Sequence, residues 1–65
     1  MKAYQERVVN EQNALDEKIE LLTEFLKDTS SRQIVCPIEL ERMDRQLDLM
    51  VKYSAVLGER IKNFK

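Results

Sequence analysis

Few side chains in this sequence are equipped to make or break bonds. There is no histidine. Ser30 and Ser31 have no neighbouring base to activate a hydroxyl. Cys36 precedes Pro37 and has only Arg32 near it in sequence, which suits an inert thiol better than a nucleophile. One cysteine with scattered carboxylates makes no zinc pattern. The residues better fitted to a task are rings and cations near the two chain ends: Tyr4 and Arg7 in the front half, Arg60, Lys62 and Phe64 in the back half. A ring offers a stacking face to a nucleobase, and a cation beside it meets the phosphate. These types point to binding. No catalytic residue, metal or cofactor is expected.

Two long helices are needed to bring those ends together. In the back half Leu40, Met43, Leu47, Met50, Ser54, Leu57 and Ile61 follow an unbroken three-four alternation, with Ser54 as the one polar member. That is the seam of a helix pressed along another helix. The front half carries a matching stripe of Val8, Gln12, Leu15, Ile19, Leu22 and Leu26. Good helix formers dominate it, and no Gly or Pro interrupts it. The spacing predicts one helix over residues 3–28, a connector over 29–36 and a second helix over 37–63. Pro37 suits the first position of a helix, where its missing N–H costs nothing. The spacing of Ser30 and Gln33 suits a capped single turn in the connector. Ile34 and Val35 are apolar enough to fold back over the closed end of the hairpin.

Set antiparallel, the stripes bring Leu26 to Leu40, Leu22 to Met43, Ile19 to Leu47, Leu15 to Met50, Val8 to Leu57 and Tyr4 to Ile61. Gln12 then faces Ser54. The two either hydrogen-bond and set the register, at some cost in stability, or tilt toward solvent. Gly58, the only glycine, lies inside the second helix. It is either a tolerated weakness of roughly 1 kcal/mol or a place where another backbone or a ligand comes close. Tyr4, Glu11, Lys18 and Phe25 recur every seven residues beside the seam. That row is either a solvated shoulder, with Lys18 paired to Glu11, Asp16 or Glu17, or a face that meets another protomer.

Charge is uneven along the chain. Residues 3–28 carry seven acids and three bases; residues 52–65 carry four bases and one acid. The antiparallel register sets the basic tail beside the start of the first helix, so Tyr4, Arg7, Arg60, Lys62 and Phe64 share the open end. Unpaired N–H groups and the positive helix dipole there favour phosphate. An ordinary solvated helix terminus explains the same cations, and both readings stay open.

Size presses toward association. A chain of 65 residues buries only about 60% of its unfolded surface. A single cysteine rules out an internal disulfide. Val9, Phe25, Leu49, Val56 and Phe64 lie outside the seam with no cover from a lone hairpin. The fold class expected is therefore all-α: an antiparallel two-helix hairpin assembling into a compact homo-oligomeric bundle. A net charge of −1 argues against a DNA or RNA polymer as partner. No membrane span or signal peptide is expected, because charges run through residues 1–20 and no apolar run approaches ~20 residues.

Longer segments carry a resemblance. They are Tyr4-Gln5-Glu6-Arg7-Val8-Val9-Asn10-Glu11, Leu15-Asp16-Glu17-Lys18-Ile19, Leu22-Thr23-Glu24-Phe25-Leu26, Arg45-Gln46-Leu47, and Tyr53-Ser54-Ala55-Val56-Leu57-Gly58-Glu59-Arg60-Ile61. Together they resemble the phage anti-CBASS cyclic-oligonucleotide sponges, whose hairpin domain also occurs in a sponge for cyclic ADP-ribose-type signals. CBASS is a bacterial anti-phage system that signals with cyclic oligonucleotides. The resemblance implies a homohexamer acting in the cytoplasm of an infected host. It implies that cyclic dinucleotides such as cyclic GMP-AMP, and in some members cyclic trinucleotides, are sequestered without cleavage. It also implies that Tyr4 stacks on a base, Lys18 meets a phosphate and Arg60 adds a further anion contact. Arg7, beside Tyr4, completes the candidate set. The connector departs from the family's acidic Pro-Glu-rich turn, with Ile34-Val35-Cys36-Pro37-Ile38 in its place. The competing expectation is a structural or protein-binding phage hairpin with no nucleotide ligand.

Overall fold

A computed structural model describes residues 2–65. The chain forms α1 (Ala3–Lys27), a short α2 (Thr29–Ile34) and α3 (Pro37–Lys62). α1 and α3 pack as a hairpin, forming a rod of 47 × 15 × 13 Å. Pro37 opens α3, and Cys36 stands exposed at its N-cap.

α2 differs from the expected single turn. Its cap is Asp28 and not Ser30: the Asp28 carboxylate accepts from the Ser30 N–H at 3.0 Å and from the Ser31 hydroxyl at 3.0 Å. A carboxylate two residues ahead of a free N–H outcompetes a serine already inside the helix. The turn then closes α1, because Arg32 donates to the Leu26 carbonyl at 3.2 Å and lies 4.0 Å from Asp44 of α3. Ile34 does not fold back over this end. It is 83% exposed, since α2 continues to that residue and points it outward.

The core is thin. Val8, Leu15 and Leu57 form its centre, with Ile19, Met50, Ile61 and Phe64 packed against them. Leu57 alone is essentially sealed, at 1% exposure. Leu26 and Leu40 are buried toward the closed end. The surface of 5146 Å² exceeds by about 800 Å² the value expected for a compact monomer of this mass.

Midway along the seam, Gln12 donates to the Ser54 carbonyl at 3.1 Å. The Ser54 hydroxyl turns the other way and donates to Asp16 at 2.6 Å. So the polar pair does bond, but through the main chain and not between side chains. A carbonyl already serving its own helix has a second lone pair to offer. Gly58 makes this approach feasible: a Cβ there would lie 3.1 Å from the Gln12 amide nitrogen. The group that comes close to Gly58 is thus a side chain of the same hairpin.

Two outcomes follow for stability. Leu57→Ala removes the best-buried side chain and should cost about 2–5 kcal/mol, read as a large fall in the thermal midpoint by circular dichroism. Gly58→Ala should be nearly neutral alone, because a helix gain of about 1 kcal/mol is offset by loss of the Gln12 bond. In a Gln12→Ala background the same change should become clearly stabilising. A cycle of the four proteins with no coupling between the sites would refute this account.

Candidate functional site

The open end of the hairpin is held by Gln5, a polar residue one step of the three-four alternation before Val8. Its side chain is 4% exposed. The amide oxygen accepts from the Lys2 N–H at 3.0 Å, and the amide nitrogen donates to the main-chain oxygen of Lys65 at 3.3 Å. Gln can do both because it carries an acceptor and two donors on one planar group. α1 therefore starts tied to the far end of the chain. The sequence signal was available in part: Gln5 stands three residues after Lys2, the position from which a glutamine reaches back to a helix start.

The turn that follows α3 is tied as well. The Asn63 side chain donates to the Glu59 carbonyl at 2.8 Å, and the Phe64 N–H donates to the Ile61 carbonyl at 3.1 Å. These bonds swing Phe64 back over the open end. Its ring meets Tyr4 edge-on, with centroids 5.8 Å apart and planes at 79°. Such edge-to-face pairs add about 0.5–1.5 kcal/mol beyond area burial. Tyr4 thus has Phe64 as its aromatic neighbour, and Phe64 and Ile61 both pack on the Val8–Leu57 cluster. Tyr4 remains 50% exposed. One side of it is steadied by another aromatic and the rest faces solvent.

The candidate cations are all exposed. Arg7 lies one turn beyond Tyr4 on α1, and residues so spaced are neighbours on a helix surface. Arg60 lies one turn before the Phe64 turn on α3. Arg7, Lys18 and Arg60 have no ion-pair partner among the described residues. Lys18 is therefore not tied to Glu11, Asp16 or Glu17; Asp16 accepts from Ser54 instead. The fold brings Tyr4, Arg7 and the end of α3 together. It does not bring Lys18 to Tyr4: fourteen residues of α1 separate them, about 21 Å along the axis.

A surface concavity lies elsewhere. It is a furrow of about 520 Å³ on the outer side of α3, lined by Arg42, Arg45, Gln46, Leu49, Met50 and Tyr53. No group of three metal-ligating side chains gathers among the described residues. No described helix is long and apolar enough to cross a membrane.

No curated protein and no solved structure matches the chain. The sequence pattern of the family described as Sequestin matches residues 2–63. That span takes in both long helices, the connector and the open-end residues Tyr4, Arg7 and Arg60. The family's name denotes holding a ligand and not converting one. With nearly its whole length matched, the chain belongs to the Sequestin family.

Proposed function

We propose that this protein is a self-associating sponge that binds cyclic dinucleotides, such as cyclic GMP-AMP, without cleaving them. Held in this way, the messenger never reaches its effector, and CBASS immunity in the cytoplasm of a phage-infected bacterium stays silent. Cyclic trinucleotides are a second ligand class in this reading, and a homohexamer is the assembly.

The observation that carries the reading is Tyr4: a ring half in solvent, steadied edge-on by Phe64 at 5.8 Å, in a chain whose family is one of sequestration. A base stacks on the open side of Tyr4, with about 1–3 kcal/mol for such a stack. Lys18 meets a phosphate. Arg7 and Arg60 add positive charge around the ring, beside the dipole of α1. Because Tyr4 and Lys18 lie about 21 Å apart on one helix, a single ligand takes its ring from one copy and its ammonium from another. A monomer offers half a site. A two-fold relating two such pairs of copies supplies each contact twice, which suits a ligand with two bases and two phosphates.

Isothermal titration with cyclic GMP-AMP, followed by recovery of intact ligand after heating, tests the whole reading. Tyr4→Ala and Lys18→Ala should each weaken binding by about tenfold or more, with helix content and oligomer size unchanged. Mixing the two variants after dissociation and reassembly should restore a fraction of the sites, since some sites then combine an intact Tyr4 with an intact Lys18. Absence of binding to cyclic di- or trinucleotides at micromolar concentration would leave the structural hairpin as the better account.

A further inference from the structure

The outer sides of the two long helices, facing away from the seam, carry two stripes that match each other. On α1, steps of three or four residues join Asn10, Ala14, Glu17, Leu21, Glu24 and Asp28. All six are exposed, Leu21 by 67%. On α3, the same steps join Arg42, Arg45, Leu49, Tyr53, Val56 and Arg60. These too are exposed, Leu49 by 64% and Val56 by 53%. Every charge on the first stripe is acidic, and every charge on the second is basic. Each stripe runs over nineteen residues, about 27 Å along the axis.

Their landmarks coincide when the stripes run antiparallel. Leu21 lies seven residues from Asp28 and eleven from Asn10; Leu49 lies seven from Arg42 and eleven from Arg60. Leu21 then meets Leu49, Asp28 meets Arg42, Ala14 meets Val56 and Asn10 meets Arg60. Glu24 falls beside Arg45, and Glu17 beside Lys52. Asp28, the C-cap of α1, is engaged at the start of α2, and the other charges are available. Glu17, Glu24, Arg45 and Arg60 have no ion-pair partner among the described residues. Arg42 and Lys52 hold only exposed pairs within their own helix, to Glu39 at 3.6 Å and Asp48 at 2.9 Å. Within one hairpin both stripes face away from the partner helix and so cannot meet.

We infer that the outer stripe of α1 in one copy docks antiparallel on the outer stripe of α3 in a second copy, with Leu21 entering the furrow beside Leu49. The occupant is this same chain because the complementary surface is on the same molecule, in sign, length and register. The excess surface of about 800 Å² over a compact monomer is also the area that a partner contributes to a standard interface. The contact joins two different surfaces, so every copy both gives and receives, and copies close into a ring or run on as a filament. It builds on the self-association proposed above and makes no use of the ligand. It also lays the basic stripe of one copy beside the Tyr4–Lys18 row of the next.

Charge reversal tests it, with no nucleotide present. Arg45→Glu/Lys52→Glu sets acids against Glu24 and Glu17; Glu17→Lys/Glu24→Lys sets bases against Lys52 and Arg45. Sedimentation should show the wild type assembled, and each variant at least about tenfold weaker in self-association. An equimolar mixture of the two should assemble again, in alternation. Circular dichroism checks that each is folded, and Arg45→Gln/Lys52→Gln replaces the acidic variant if it is not. Variants that assemble alone as well as the wild type would overturn the inference. So would folded variants whose mixture stays apart. A wild type that remains monomeric also would, and would assign the face to a foreign protein or a lipid surface. Ligand titration of the wild type is scored separately, so a failed sponge and a failed interface give different results.

Discussion

A hairpin of two helices has one seam, and everything apolar outside that seam faces water. This constraint governs the molecule. Val8, Leu15 and Leu57 fill the middle of the seam, and Leu26 and Leu40 close one end. Tyr4, Leu21, Ile38, Leu49, Val51, Tyr53 and Val56 remain exposed. No rotation of either helix buries them without exposing the seam, because a helix stripe covers little more than a quarter of the circumference. The surplus is an outcome of the architecture, and the chain's surface is the natural place to seek its function.

The seam also needs a device to hold register, since stripes of Leu, Ile and Met slide past each other at little cost. Polar contacts supply it at two levels. Near the middle, Gln12 reaches the Ser54 carbonyl across a gap that Gly58 leaves open. At the open end, Gln5 is sealed between the start of α1 and the main chain of Lys65. Both contacts end on main-chain atoms, whose positions are set by the helices and not by a mobile side chain. Buried glutamine is costly if left unpaired, so each of these contacts penalises every other register.

The same clasp prepares the open end. Gln5 and the Asn63 turn place Phe64, Phe64 steadies Tyr4, and Tyr4 keeps half of its surface for another molecule. In the proposed sponge, assembly and ligand binding share one logic. A chain too small to cover its apolar surface gains from a second copy, and the proposed site, divided between Tyr4 and Lys18, needs one. Membership of the Sequestin family accords with a protein that holds and does not convert.

The order of residues by itself determined the two helices and the faces that meet, because a three-four alternation of apolar side chains has one helical interpretation and Pro37 marks where the second helix starts. It placed Gln12 opposite Ser54 and Val8 opposite Leu57, since antiparallel pairing of two stripes leaves little freedom. It also brought Tyr4 near the end of the second helix. What it left open were contacts that depend on the third dimension. Ser30 and Asp28 both suit a cap, and only the path of the chain after α1 decides which carboxylate or hydroxyl reaches the free N–H. Gly58 looked open to any neighbour until the Gln12 amide was seen beside it. Gln5 continues the three-four alternation one step before Val8, but periodicity gives no sign of its bond to Lys65, which arises because the chain turns back after Lys62. Phe64 reaches Tyr4 for the same reason. Side-chain periodicity records which face of a helix is covered; it does not record where the backbone goes once the helix ends, and that is where tertiary structure made the choice.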